Sequence, residues 1–137
     1  MSFGDAIQSF WTNYANFKGR ARRSEYWFIA LFLGLTSIGA TIIDSAIFVD
    51  DLDVLMSTGG WGPVGVLWAL TVFLPSLSVL VRRLHDTSRS AWWLLIGLVP
   101  IAGAIVLFVF SLFDSTPGHN DYGRSPKEAP ASPPPAR

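Results

Sequence analysis

The residues able to do chemistry fall into two short segments. Arg20, Arg22, Arg23 and Glu25 stand in the first. Arg82, Arg83, His85, Asp86 and Arg89 stand in the second. Guanidinium forks match the planar oxygens of phosphates and carboxylates. The arginines therefore suit an anionic lipid headgroup or a phosphorylated metabolite, with Glu25, His85 and Asp86 oriented to position them. The same residues also suit a structural role, as charged anchors and Arg–acid pairs that clamp helices together. His85 beside Asp86 has the composition of an acid–base pair. A metal site needs three or four ligands, and the other histidine, His119, lies far along the chain. No metal and no cofactor is expected. The sequence has no Gly-rich phosphate loop, nucleophile elbow or His-Glu-x-x-His zinc motif, so catalysis is not expected either. The basic residues are few and interleaved with apolar segments, which argues against nucleic acid as a partner.

What must position these segments is apolar. Residues 26–49, 61–81 and 91–113 form three hydrophobic runs, the last two without a charged residue and the first with Asp44 alone. A hydrocarbon core about 30 Å thick needs roughly 20 helical residues, and each run meets that length. The expected fold is an all-α membrane protein with three transmembrane helices. The alternative, a soluble helical domain, fits poorly with half the residues hydrophobic and only 15% charged. The formal net charge is zero, but the charges are segregated. Lys18, Arg20, Arg22 and Arg23 precede the first run, and Arg82, Arg83 and Arg89 follow the second. Asp50, Asp51 and Asp53 lie between those two runs without a basic residue. This positive-inside asymmetry assigns the N-terminus and the 82–90 loop to the cytoplasm. The chain has no cysteine, which excludes disulfides and thiolate chemistry. The first span is expected to serve as an uncleaved anchor rather than a signal peptide.

Ahead of the spans, Phe3, Ile7, Phe10, Trp11, Tyr14 and Phe17 recur at helical spacing opposite Asp5, Gln8, Ser9, Thr12 and Asn13. The pattern predicts an amphipathic interfacial helix leading to the basic entry, with residues 1–23 as one segment. The same stripe would also serve a helix packed on the ends of the spans. Thr36, Ser37, Gly39, Ala40, Thr41, Ser45 and Ala46 make one half of the first run small, and that half is expected to face protein. Asp44 either reaches outer water or forms an ion or proton site. Pro75 should kink the second run and free a carbonyl one turn earlier. Pro100, with Gly97 and Gly103 beside it, predicts a kink in the third. Residues 24–116 form the membrane domain. Residues 117–137 read first as turns, from Pro117, Gly118, Asn120 and Gly123, and then as a disordered proline-rich tail.

Three of these segments together carry a family resemblance. Phe17 to Trp27 gives a Phe-x-Gly-Arg-x-Arg-Arg-x-Glu-Tyr-Trp entry. Pro75 precedes an Arg-Arg-Leu-His-Asp-Thr-x-Arg-Ser-x-Trp-Trp run at residues 82–93. Residues 117–126 match Pro-Gly-x-Asn-x-Tyr-Gly-x-x-Pro. The chain resembles, over about residues 10–126, the small bacterial inner-membrane proteins catalogued as domain of unknown function 805, of the YhaH and YhaI type. The resemblance implies residence in the inner (plasma) membrane and supplies no activity and no catalytic residue. Ser88 stands where glycine is common, and Ser125 where an acid is frequent, which removes a possible anchor for the tail.

The leading expectation is a non-enzymatic membrane module whose cytoplasmic arginine layer binds anionic lipid or a partner protein. The alternative is a subunit of an oligomeric transporter or pore that uses Asp44 and the Pro-kinked spans.

Overall fold

A computed structural model of the protein describes residues 1–48 and 61–128. The acidic loop around Asp50, Asp51 and Asp53 and the proline-rich tail beyond Glu128 lie outside the described residues. The elements run α1 (Phe3–Thr12), α2 (Arg23–Ile47), α3 (Pro63–Asp86), a 3-10 helix (Ala91–Leu98) and α4 (Ala102–Leu112). A short antiparallel pair follows, β1 (His119–Asn120) and β2 (Gly123–Arg124), with His119 opposite Arg124. The chain is predominantly helical, as its composition predicts. By length and composition, α2 and α3 suffice to cross a bilayer. The chain divides into two compact units, Met1–Asn16 with Ser24–Leu80, and Phe17–Arg23 with Val81–Arg137.

In the first unit, α1 starts on a capping box. Asp5 N–H donates to Ser2 Oγ at 3.1 Å and Ser2 N–H to Asp5 Oδ2 at 2.7 Å, which satisfies two amides that a helix start leaves without partners. The aromatic stripe of α1 packs on protein. Phe10 is buried and meets Phe32 of α2 edge-on at 6.2 Å, Phe3 meets Phe28 at 5.9 Å, and Trp11 meets Trp68 of α3 at 6.4 Å. The chain leaving α1 is held by α3. Ser78 Oγ donates to the carbonyls of Asn13 and Asn16, at 2.9 and 2.6 Å. Pro75 has no N–H to give to the carbonyl of Thr71, four residues earlier. The Tyr14 hydroxyl donates to that oxygen instead, at 2.7 Å.

The start of α3 is capped from another helix. Pro63 occupies the first helical position, where a missing N–H is harmless, and Gly62 ahead of it has no side chain to cap with. Asp44 of α2, 2% exposed, supplies the carboxylate. Its Oδ1 accepts from Val64 N–H at 2.9 Å and its Oδ2 from Gly65 N–H at 2.7 Å. A Cβ on Gly62 would overlap Asp44, and one on Gly65 would crowd it. Within the small-residue half of the first run, Ala40 is buried, Thr36 and Gly39 are half-buried, and Ser37, Thr41, Ser45 and Ala46 are exposed. On α2 the buried residues are Glu25, Ile29, Ala40 and Asp44. The hydroxyls of Thr36, Thr41 and Ser45 each return to the carbonyl four residues earlier, so they need no facing helix.

The second unit departs most from the sequence reading. The third run, expected as one span over 91–113, is a hairpin. After the 3-10 helix the chain turns at Pro100, Ile101 and Ala102, where Ala102 N–H donates to the Pro100 carbonyl at 2.7 Å. Ile101 has φ 64 and ψ −62, the strained sense of a γ-turn. The two arms then run back along each other. Gly103 lies so close to the Ile96 carbonyl that any Cβ would overlap it. Gly97 faces Leu107, and the Trp93 and Phe110 rings meet at 5.2 Å. Pro100 therefore ends a helix rather than bending one, and Gly103 permits the backbone contact that closes the reversal.

Candidate functional site

Residues 17–23 of the entry, the Arg82–Trp93 run and residues 117–126 lie in the second unit, around the last turn of α3. Asp86 is the centre. Its side chain is fully buried, and Oδ1 accepts from Arg20 Nε at 3.0 Å. Oδ2 accepts from Arg83 Nη1 at 2.5 Å and from Ser115 Oγ at 2.6 Å. Arg83 sits one turn earlier on α3, which aims both side chains the same way. The basic entry is brought in by Gly19, whose φ of 84 suits a residue without Cβ. It is pinned by Ala21 N–H donating to the Arg82 carbonyl at 3.0 Å.

Two arginines against one acid leave donors over, and backbone oxygens take most of them, the buried Arg83 Nε being left without a partner among the described residues. Arg83 Nη2 donates to the carbonyls of Ser111, at 3.2 Å, and Phe113. These carbonyls at the C-terminal end of α4 have no helical donors and carry partial negative charge, so Arg83 caps that helix. Arg20 Nη2 donates to the carbonyls of Asp86 at 3.1 Å and Thr116 at 2.5 Å. Its Nη1 donates to those of Gly118 and Gly123, at 3.1 and 3.2 Å. The guanidinium thus straps residues 116–123 onto the end of α3. The strap has further ties. Thr116 N–H donates to the Asp86 carbonyl at 3.0 Å. Asn120 Nδ2 donates to the His85 carbonyl at 2.9 Å. The Tyr122 ring stacks on His85 at 3.8 Å and 3°, and His85 Nδ1–H donates to the Gly19 carbonyl at 3.3 Å.

The remaining candidates divide. Arg82 is buried. Arg22 is half-buried, and its Nη2 donates to the Pro126 carbonyl at 2.7 Å. Arg89 lies over the Phe110 and Phe113 rings, 4.1 and 4.9 Å from their centroids, a cation–π contact. Arg23 is exposed. Glu25 belongs to the other unit, where its Oε1 accepts from Ser9 Oγ at 2.7 Å. Asp44 is likewise in that unit, as the cap of α3. Arg20 and Arg83 are directed at this chain's own oxygens rather than outward. Thr116, Ser115, Asn120 and Tyr122 were not singled out as partners, although the turn residues around them marked the segment.

The departures at Ser88 and Ser125 also find physical readings. Ser88 has φ 58, a left-handed conformation that glycine adopts freely. The tail keeps its anchors without an acid at 125. Ser125 N–H donates to the Gly118 carbonyl at 3.0 Å, and Gly118 N–H to Glu128 Oε1 at 2.8 Å. Lys127 pairs with Asp114. The Lys127 ammonium, followed by the Ser115 amide, holds the Asp114 carboxyl below its ordinary value. Among the described residues no group of three or more His, Cys, Asp or Glu side chains is arranged to hold a metal ion.

Comparison with known proteins finds relatives over most of the chain. The inner membrane protein YhaH of Escherichia coli (strain K12) is 40% identical over 118 residues, 86% of this chain and 93% of YhaH. The inner membrane protein YhaI of the same strain is 40% identical over 115 residues, 84% of this chain and 89% of YhaI. The uncharacterized protein YiiR is 28% identical, with 82% and 87% of the two chains covered. No solved structure matches the chain. The model of a family described as a protein of unknown function, DUF805, matches residues 14–124, the stretch that holds the entry, the α3 end and the strap, and the chain belongs to that family.

Proposed function

We propose that this chain is a bacterial inner-membrane module that binds anionic lipid headgroups at the cytoplasmic surface through cations on the outside of the Arg20–Asp86 unit. Its relatives' names support inner-membrane residence, and α2 and α3 have the length and composition to cross. The charge asymmetry supports a cytoplasmic N-terminus, with basic residues before α2 and after α3 and the acidic loop between them.

One observation carries the binding reading. Arg20 and Arg83 are buried and engaged by Asp86 and backbone carbonyls, while Lys18 and Arg23 are exposed. Arg23 stands three residues and Lys18 eight residues before Tyr26, which with Trp27 is of a residue type that favours headgroup depth. A positive surface at that depth attracts anionic headgroups, at about 1 kcal/mol per basic residue. The alternative, an oligomeric transporter or pore subunit, would have to act at an Asp44 whose two oxygens accept from α3 amides and at a Pro75 whose freed carbonyl accepts from Tyr14.

Native mass spectrometry of the delipidated protein, titrated with phosphatidylglycerol or phosphatidylcholine, tests the proposal. Phosphatidylglycerol adducts should dominate for the wild type and fall to the phosphatidylcholine level in a correctly inserted Lys18→Glu/Arg23→Glu variant. Equal retention of the two lipids by the wild type, or unchanged retention by the variant, rejects it. A co-purifying protein lost from the variant, without lipid preference, would transfer the same surface to a partner protein.

A further inference from the structure

We infer that the hairpin from Ala91 to Leu112 is a re-entrant wedge. It enters one leaflet, ends within the bilayer and leaves by the face it entered, with lipid acyl chains as the partner of its exposed surface. The inference requires membrane residence and is independent of headgroup binding.

Both ends of the hairpin are tied to one place. Arg83 holds the carbonyls of Ser111 and Phe113 at its far end, and Asp86, one turn on, holds Ser115 and Thr116. At its near end, Arg89 N–H donates to the Leu84 carbonyl at 2.9 Å, and Ser88 Oγ meets Thr116 Oγ1 at 3.2 Å. A segment crossing the membrane would put residues 90 and 114 on opposite sides, and this network holds them together.

The arms have the reach of a half-crossing. Eight residues of 3-10 helix and eleven of α-helix rise about 16 Å each, near half of a hydrocarbon core about 30 Å thick.

The tip has the chemistry of lipid rather than water. The hairpin contains no charged residue, and its most exposed side chains include Leu98 at 79% and Ile101 at 78%. An apolar projection of that size is rarely left in water. Hydrocarbon also requires backbone polar groups to be satisfied internally. At the turn, Val99 N–H donates to Ile96 at 3.0 Å, Ala102 N–H to Pro100, and Gly103 N–H to Val99 at 2.9 Å. Pro100 has no N–H at all. At the base, Trp92 and Trp93 are exposed, as suits the interface between headgroups and chains.

The absence of cysteine makes single engineered thiols clean reporters. Ser90→Cys, Ile101→Cys, Asp114→Cys and Lys127→Cys chains would each be exposed to a membrane-impermeant maleimide in spheroplasts and in inverted vesicles. The expected result is labelling of the Ser90, Asp114 and Lys127 variants from the same face only. The Ile101 variant should resist the impermeant reagent from both faces and react with a lipid-soluble maleimide. Labelling of the Ser90 variant from one face, with the Asp114 and Lys127 variants labelled from the other, would establish a full crossing and overturn the inference. Labelling of the Ile101 variant by the impermeant reagent would place the hairpin in water and overturn it equally.

Discussion

Arg20 and Asp86 form a fully buried, charge-assisted pair, Nε to Oδ1 at 3.0 Å, that joins the entry to α2 with the exit from α3. The pair closes a network in which Arg83 shares the same carboxylate. Two guanidinium groups therefore depend on one acid for their compensation.

Replacing that acid by Asp86→Asn should be strongly destabilising. Removing one partner of a buried ion pair costs about 3–5 kcal/mol, because the charge left behind has no counter-charge. Thermal unfolding in detergent should show a clear fall in midpoint, and protease should cut residues 114–128 sooner. Arg20→Lys should fail similarly at the strap, since an ammonium lacks the planar fork that reaches carboxylate and carbonyls together. A midpoint unchanged by Asp86→Asn would show that the network carries little of the fold.

Asp44→Ala should weaken the start of α3. Loss of a capping side chain costs about 0.5–2 kcal/mol. Gly62→Ala should be at least as damaging, because the added methyl overlaps the Asp44 carboxylate. Hydrogen exchange at the Val64 and Gly65 amides reports the effect directly. Both should exchange faster in the Asp44→Ala protein, and unchanged protection would deny the cap.

The hairpin turn should respond in opposite directions at two nearby positions. Ile101→Gly should be tolerated or stabilising by about 1 kcal/mol, as glycine relieves a strained positive φ. Gly103→Val should open the hairpin, because its side chain has no room against the Ile96 carbonyl. Distances between spin labels at residues 93 and 110 separate the outcomes. They should stay short and narrowly distributed in the first variant and broaden in the second.

The Asp114–Lys127 tie should depend on acid. A carboxyl whose folded-state pKa is lowered contributes stability that is complete above its unfolded value, near pH 4, and lost as pH falls through the lower folded value. Both groups are largely exposed, so the effect is local. In a carbon-detected NMR titration Asp114 should titrate below an ordinary aspartate, and Lys127→Ala should move it upward. Coincident titrations in the two proteins would mean that the lysine has no hold on it.

The first two runs were legible because unbroken apolar length is a one-dimensional property, and α2 and α3 follow it closely. The third run passed the same length test and folded differently. Pro100, Gly97 and Gly103 were visible as a weak point, but whether such a point bends or reverses depends on contacts across the turn, and residue counting does not include them. Asp44 was legible as unusual and not as a cap, since its partners are amides some 20 positions away in a helix whose own cap position holds glycine. Arginines near acids were legible as a cluster. Their inward direction was not, because the oxygens that turn them inward belong largely to the backbone, where sequence leaves no mark.

That last point bears on how this chain can change over generations. Arg20 reads the strap through the carbonyls of Thr116, Gly118 and Gly123, and a carbonyl is the one acceptor that no substitution deletes. Positions of residues 117–126 whose side chains make no tie can therefore change while the latch stays shut, provided Asn120, Tyr122 and the path survive. The path is guarded by Gly118 and Gly123, whose φ values of 72 and 121 few other residues would accept.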